Sequence, residues 1–313
     1  MKALIPDGIT RDLRLRDREI DFNDFGLEEQ REHRVFEQLL KMVPDLYERW
    51  DQSDEAGEHL CDMLQKGIAN ARSEDTKGLK TAVISWIRMQ LPGGNMEGLE
   101  AHLKTNRGFN HPLTGKLLCP VNMDWNDPLV VEGLRSGTTK LLGVHWPRFL
   151  YADLEYDREK PWKGLFRGEL LIKGYRHIFT SPSSVYDGEP RATRSGNARI
   201  HGMIKVTLAS IAYVATQVRF SLSSHSVFSR NNCVTETEQF YNTCMDLFLD
   251  PRERSEITAL LSWWNEKIFP ASLSAEVEIP LDTPLARIRA IRDAEEAAKR
   301  ALTQPTPTVP PEA

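Results

Sequence analysis

The sequence predicts a mainly α-helical protein: a helical N-terminal lobe, a C-terminal helical bundle, and an irregular middle with at most short strands. Apolar residues recur every three or four positions through much of 27–89 and 198–268, which is the period of an amphipathic helix. Between these regions, Gly, Pro and Asn interrupt short apolar pieces, which is typical of irregular structure.

The N-terminal lobe is predicted to span 27–104. It follows a segment, 1–26, that mixes charges with few large apolar residues, and we expect this segment to be disordered. Pro44 is expected to bend or interrupt the first helix of the lobe, because proline removes a helical hydrogen bond. Three helices are predicted in this lobe. The first begins near Leu27, the second begins at Ser53, and the third runs from about Asp75 to Met89.

The main domain is predicted to span 105–270. Within it, 116–121 is expected to be a short strand or an extended buried segment, and 165–179 a helix. Large aromatic residues anchor the irregular part, since they bury much area per residue. The longest predicted helix is 198–222, followed by helices at 235–249 and 255–268. A linker with a charged helix (271–302) and a disordered, proline-rich tail (303–313) complete the chain.

Composition indicates an intracellular protein, nuclear or cytoplasmic. The four cysteines are scattered and form no CxxC pair, which favours reduced thiols over a disulfide framework. Residues 203–222 are too interrupted by Lys205, Gln217 and Arg219 to predict a membrane span. We predict no cofactor and no metal, because phosphate-binding glycine loops and zinc-ligand spacings are absent from the sequence.

Charge is segregated along the chain. Residues 160–230, here called the basic segment, carry eleven Lys or Arg and three acids, a net of +8 in a protein whose net charge is −5. Such a segment either faces an external polyanion, such as nucleic acid or an acidic or phosphorylated partner, or docks against the acidic segments of its own chain. Both interpretations remain open from sequence.

The basic segment contains the predicted binding site. Its loop, 180–197, is rich in Ser, Pro and Gly, and we expect the following helix to offer free N–H groups to an anion. His201 and Lys205 would then lie one turn apart on that helix. The predicted anion- or nucleic-acid-binding residues are Arg176, Arg191, Arg194, Ser195, Asn197, Arg199, His201 and Lys205.

The alternative is an enzyme of unrecognised type. It would use a polar pocket near Asn110, His111, Arg167, His177 and Ser183. No nucleophile elbow or metal-ligand motif accompanies these residues, so the sequence predicts no catalytic residue and favours a non-enzymatic binding module.

Four phrases carry a resemblance: RGFNH (107–111), GLFRG (164–168), HIFTSPSS (177–184) and ASIAYVATQVRF (209–220). With them, the chain resembles a large family of uncharacterised proteins that is expanded in mushroom-forming basidiomycete fungi. The resemblance runs from about 27 to 270. It implies a fungal, intracellular protein with a link to mobile elements, and it supplies no catalytic residue.

Overall fold

The computed structural model describes residues 3–51, 53–90, 93, 96–186, 196–225, 236–270, 284, 287–288 and 290–292. These residues form helices joined by short 3₁₀ turns. Two isolated antiparallel bridges, Pro120 with Pro147 and Tyr151 with Leu165, are the only β-type pairings in the described ranges. The prediction of a mainly α fold is therefore confirmed.

The N-terminal residues form a helix where disorder was predicted. Helix α1 (Leu4–Arg16) packs against α2 (Leu27–Met42), and its Ile5 is fully buried. Gly8 allows this packing, because a Cβ there would lie 2.4 Å from the Phe36 ring. Helix α1 has too few apolar residues to produce a helical pattern in the sequence, but α2 buries those that it has.

The helices predicted from Ser53 and from Asp75 form a single continuous helix. Pro44 separates α2 from α3 (Leu46–Asp51), but α4 runs unbroken from Asp54 to Gln90. The residues that would have separated the two helices, 69–75, contain neither Gly nor Pro, so nothing in them stops a helix. Cys61 of α4 belongs to a small N-terminal core, while Leu79 begins the large core. The change of core therefore lies within α4, whereas the predicted lobe ended at residue 104.

The large core is built around α9 (Leu208–Leu222). Its residues Ile211, Val214 and Val218 are fully buried. The helix packs against α4, α5 (Pro112–Leu118), α7 (Glu169–Tyr175) and α10 (Glu236–Leu249). The other helices of this part of the chain are α6 (Pro128–Ser136) and α11 (Arg254–Ile268). Helices α10 and α11 confirm their predictions, and no described helix is long and apolar enough to cross a bilayer.

The predicted helix at 198–222 is in fact two helices. A four-residue helix, α8 (Asn197–Ile200), ends before Gly202, which has φ +67°. Helix α9 starts afresh at Leu208, with Thr207 and Ser210 forming a capping box. Ile200 and Ile204, placed on the apolar stripe by the sequence period, are 62% and 67% exposed. The left-handed backbone of Gly202 ends the first helix and the cap at Thr207 starts the second, so the apolar period of the sequence does not produce one continuous helix.

Two further predictions need correction. In 165–179, helix α7 begins only at Glu169 because Phe166 has φ +54°, and α7 continues into a π-helix, Arg176–Thr180. In 116–121, predicted as a short strand or an extended buried segment, the first three residues are helical. The buried Cys119 and Pro120 follow, with a single bridge at Pro120 instead of a strand. The segment 271–302 lies mostly, and the tail 303–313 wholly, outside the described residues.

Candidate anion-binding surface

Three short pieces of chain meet beside the C-terminal end of α7, and we call their junction the seam. They are the π-helix Arg176–Thr180, the segment 196–207 that contains α8, and the last turns of α11 from Trp263 to Ile268. The Asn197 side-chain amide donates to the carbonyl of Ile178 at 2.8 Å. The Val206 N–H donates to Asn265 Oδ1 at 2.7 Å. These bonds fix the three pieces relative to one another.

The seam is held closely on its inner side. A Cβ at Gly196 would lie 2.1 Å from the carbonyl oxygen of Thr180, so only glycine allows this approach. Arg176 Nη2 donates to the carbonyl of Lys267 at 3.4 Å, a long bond that joins the π-helix to α11. The described residues on both sides of 187–195 contact Thr180 of the π-helix, Ser184 through its hydroxyl and Gly196 through the close backbone approach.

Basic side chains project from the seam. Arg199, His201, Lys205 and Lys267 are exposed, and Arg176 is half-buried. Within the described residues, no carboxylate lies within 4.0 Å of the charged nitrogens of Arg199, Lys205 or Lys267. The neighbouring Lys173, by contrast, pairs with Glu169 at 2.5 Å. Lys173 therefore adds little net charge.

An aromatic ring lies at the edge of the seam between two cations. The half-buried Trp263 has the Arg167 guanidinium 5.6 Å and the Lys267 ammonium 6.0 Å from its ring. Both distances are within the range of cation–π attraction. The ring therefore helps to hold two positive groups at the surface of α11.

The predicted helix N-terminus does not supply an anion site. Asn197 is the first residue of α8, and the N-cap is Gly196, which has no side chain to cap the helix. The helix is also only four residues long. His201 and Lys205 do not share a helix, because both follow α8 and precede α9. Arg191, Arg194 and Ser195 lie outside the described residues. Of the predicted site, the structure brings together Arg176, Asn197, Arg199, His201 and Lys205.

Beside the seam, four hydroxyl residues bond mainly to one another. Ser181 caps a 3₁₀ turn, Pro182–Val185, by accepting from the Ser184 N–H. The Ser184 hydroxyl lies 2.5 Å from that of Thr180, and the Ser183 hydroxyl lies 3.0 Å from that of Ser181. This network gives the turn a fixed shape and accounts for the hydroxyls structurally.

The core of this region matches a known family. A family model described as "Family of unknown function (DUF6698)" matches residues 66–269, about two thirds of the chain. The chain belongs to this family. Neither the curated proteins nor the solved structures include a match. The DUF6698 region begins within α4 and ends with α11, so it contains the large core and the whole seam.

The five residues of the alternative enzyme pocket play separate parts in the DUF6698 region. His111 caps α5 through Nδ1 and donates from Nε2 to the Glu97 carbonyl at 3.2 Å. His177 packs edge-on against Trp86, and burial lowers its pKa. The other three are Asn110, bonded to the Thr105 carbonyl, Arg167, over Trp263, and the exposed Ser183.

A titratable pair joins α4 to α9. The Tyr213 hydroxyl donates to Asp75 Oδ2 at 2.7 Å, and burial raises the pKa of both groups. Next to it, the Thr76 hydroxyl donates to Gln217 Oε1 at 3.0 Å. The groups satisfy one another, so the pair links two core helices. No cluster of three or more metal-binding side chains occurs among the described residues.

Two buried basic side chains at the end of α9 were not predicted from the sequence. Lys104 Nζ donates to the carbonyls of Phe220 and His225 at 2.6 and 2.5 Å and lies 3.4 Å from the Phe220 ring. The fully buried Arg107 donates to four carbonyl oxygens. These cations satisfy carbonyls that a helix end leaves free. Only their place in a Gly- and Asn-rich run distinguishes them in the sequence.

Proposed function

We propose that this DUF6698 protein is a non-enzymatic module that binds a phosphate-rich polyanion, with nucleic acid the first candidate, at the seam. The observation that carries the proposal is the exposure of Arg199, Lys205 and Lys267 without a carboxylate partner in the described residues. If the basic segment served to dock against the acidic N-terminal lobe, these side chains would be expected in ion pairs with that lobe. The ion pair that joins the N-terminal lobe to α10 uses Arg31 and Asp246 instead.

Side chains, and not a helix end, carry the proposed binding. Arginine forks match phosphate oxygens, whereas lysines act as point charges. Arg191 and Arg194 remain predicted binding residues that lie outside the described part of the chain. The exposed basic side chains would contact backbone phosphates, which fix the position of a nucleic acid without reading its sequence.

An acidic or phosphorylated protein is the second candidate partner, and it uses the same charges. The fungal origin, the expansion in basidiomycetes and the intracellular location that the sequence resemblance implies remain part of this proposal. None of them is needed for the binding argument, which rests on the side chains of the seam.

Salt dependence provides the test. We expect a labelled oligonucleotide to bind in fluorescence anisotropy at 50 mM salt. The affinity should then fall on the order of 100-fold by 200 mM, as four released phosphate counterions would require. An acidic phosphopeptide of equal charge should compete weakly if nucleic acid is the partner, and strongly if a protein is. Absence of binding to both at low salt would contradict the proposal.

A further inference from the structure

A separate cavity of about 450 Å³ lies between the end of α5, the chain around Trp146 and α10. Four of its lining residues are aromatic: Trp146, Tyr151, Tyr156 and Trp162. Its remaining lining side chains are apolar apart from Asn122 and His145, and no Lys, Arg, Asp or Glu of the described chain lines it. The cavity belongs to neither the seam nor the enzyme alternative.

Backbone pairing gives this cavity firm walls. The Val121 N–H donates to the Trp146 carbonyl at 3.0 Å, next to the Pro120–Pro147 bridge. The Ala152 N–H donates to the Gly164 carbonyl at 2.9 Å, next to the Tyr151–Leu165 bridge. Two isolated bridges and their neighbouring hydrogen bonds thus hold the irregular chain around the cavity.

The aromatic rings are also fixed in position. Trp162 Nε1 donates to Glu253 Oε2 at 2.6 Å. Tyr151 and Tyr156 meet edge-to-face, with ring centroids 5.4 Å apart and planes at 74°. Trp146 meets the buried Phe166 at 5.6 Å. Rings held in this way lose little freedom when a ligand binds.

The electrostatics of the cavity favour a cation. Aromatic faces are negative and attract a cation. Tyr151 is only 2% exposed and burial raises its pKa, so its ring remains a neutral phenol. His145 accepts the Leu142 N–H at its Nδ1, 2.8 Å away, so this nitrogen is already occupied. The Glu253 carboxylate, bonded to Trp162, adds negative potential near one wall.

We propose that this cavity binds an alkylated ammonium group, such as the trimethylammonium head of a small molecule. Such a head has a diffuse charge and no N–H to satisfy, so it needs rings and not hydrogen-bond acceptors. Several rings around one cavity are the general arrangement by which proteins recognise quaternary ammonium. The volume falls in the range of small-ligand pockets and leaves room for a short tail beyond the head.

The decisive comparison uses the full-length protein and two ligands of the same shape. Choline is the cationic probe, and 3,3-dimethyl-1-butanol is its uncharged isostere. By isothermal titration calorimetry, we expect choline to bind at least about tenfold more tightly, because only the cation gains the ring attraction. Equal affinity would show an ordinary apolar cavity and overturn the proposal. So would the absence of saturable choline binding at about 10 mM, a concentration that detects even weak complexes.

Variants locate the binding. Trp162→Leu and Tyr156→Leu should each weaken choline binding at least about tenfold, while Tyr156→Phe should keep it, because the ring matters and the hydroxyl does not. Trp263→Leu, in the half-buried tryptophan of the seam, is the matched control and should leave choline affinity unchanged. Folded Trp162→Leu protein with wild-type affinity would overturn the proposal. If that variant does not fold, the comparison of the two ligands on the wild-type protein still decides.

Discussion

Arg107 Nη1 donates to the carbonyl oxygen of Ser221, 2.7 Å away, and so caps the C-terminal end of α9. The same guanidinium donates to the carbonyls of Leu103, Glu100 and Ala101. One buried side chain therefore ties an irregular segment to the central helix. Its partners are all carbonyl dipoles, which are suited to a cation at this end of a helix.

Replacing Arg107 should destabilise the fold strongly. Arg107→Met keeps much of the volume but leaves buried carbonyls without donors, and we expect a loss of about 3 kcal/mol in the free energy of unfolding. Arg135→Met is the control, since Arg135 is exposed, and it should change stability by less than about 0.5 kcal/mol. Urea denaturation measures both. Similar small losses in the two variants would show that the carbonyls do not depend on Arg107.

Lys104 should make stability depend on pH. Burial, and secondarily the positive charge of Arg107, lower its pKa to about 7, against about 10.4 for an unfolded lysine. Between these values the unfolded chain holds a proton that the folded chain has lost, so stability should rise with pH. The gain in folding stability from an uncharged Lys104 is fully present above about pH 10.4 and is lost as the pH falls to about 7.

The variant Lys104→Met isolates this effect, because it removes the titration and keeps an apolar contact with the Phe220 ring. The difference in unfolding free energy between wild type and variant should grow from pH 7 to pH 10, by at most about 1.4 kcal/mol per pH unit. A difference that stays constant over this range would mean that Lys104 remains charged, held by its two carbonyls.

The division of 198–222 into two helices predicts opposite outcomes for two isoleucines. Ile211→Ala should cost about 2–5 kcal/mol, because Ile211 is fully buried and its loss leaves a cavity. Ile204→Ala should cost less than about 0.5 kcal/mol, since that side chain is mostly exposed. Chemical denaturation compares them directly. Equal costs would indicate the single continuous helix of the sequence prediction.

Two glycines should respond in opposite ways to the same substitution. A Cβ at Gly168 would lie 2.0 Å from the Phe149 carbonyl oxygen, whereas at Gly67, in the exposed part of α4, it would meet nothing within 4 Å. Gly168→Ala should therefore lower the melting temperature. Gly67→Ala should raise stability by up to about 1 kcal/mol, the helix preference for alanine. A destabilised Gly67→Ala protein would argue against an exposed helix there.

Sequence periodicity predicted most of the helical content, and it failed where local backbone geometry overrides side-chain pattern. Ile200 and Ile204 fit the apolar stripe, but Gly202 and the cap at Thr207 end one helix and start another. The helix α1 was missed for the opposite reason. Its few apolar residues do not make a sustained pattern, and they are buried only because Phe36 and its neighbours cover them.

The candidate sites were predictable to different degrees. Charge counting located the basic segment, because clustering along the chain is visible in sequence. The seam also includes Lys267, which is distant in sequence and joins through Asn265 and Val206. The aromatic cavity was not predicted at all, since its walls come from residues as far apart as Val121, Trp162 and Leu247. Only tertiary contacts bring these residues together.

Charge reversal at the seam tests the proposed function most directly. One triple variant changes Arg199, Lys205 and Lys267 to Glu. The matched variant changes the exposed residues Lys66, Lys116 and Lys140 to Glu, and so alters the net charge equally away from the seam. Oligonucleotide binding is measured by fluorescence anisotropy at 50 mM salt, after circular dichroism has confirmed that both variants are folded. We predict that the seam variant loses at least about tenfold more affinity than the matched variant, because phosphate contacts are local. Equal losses in the two variants would contradict a binding surface at the seam.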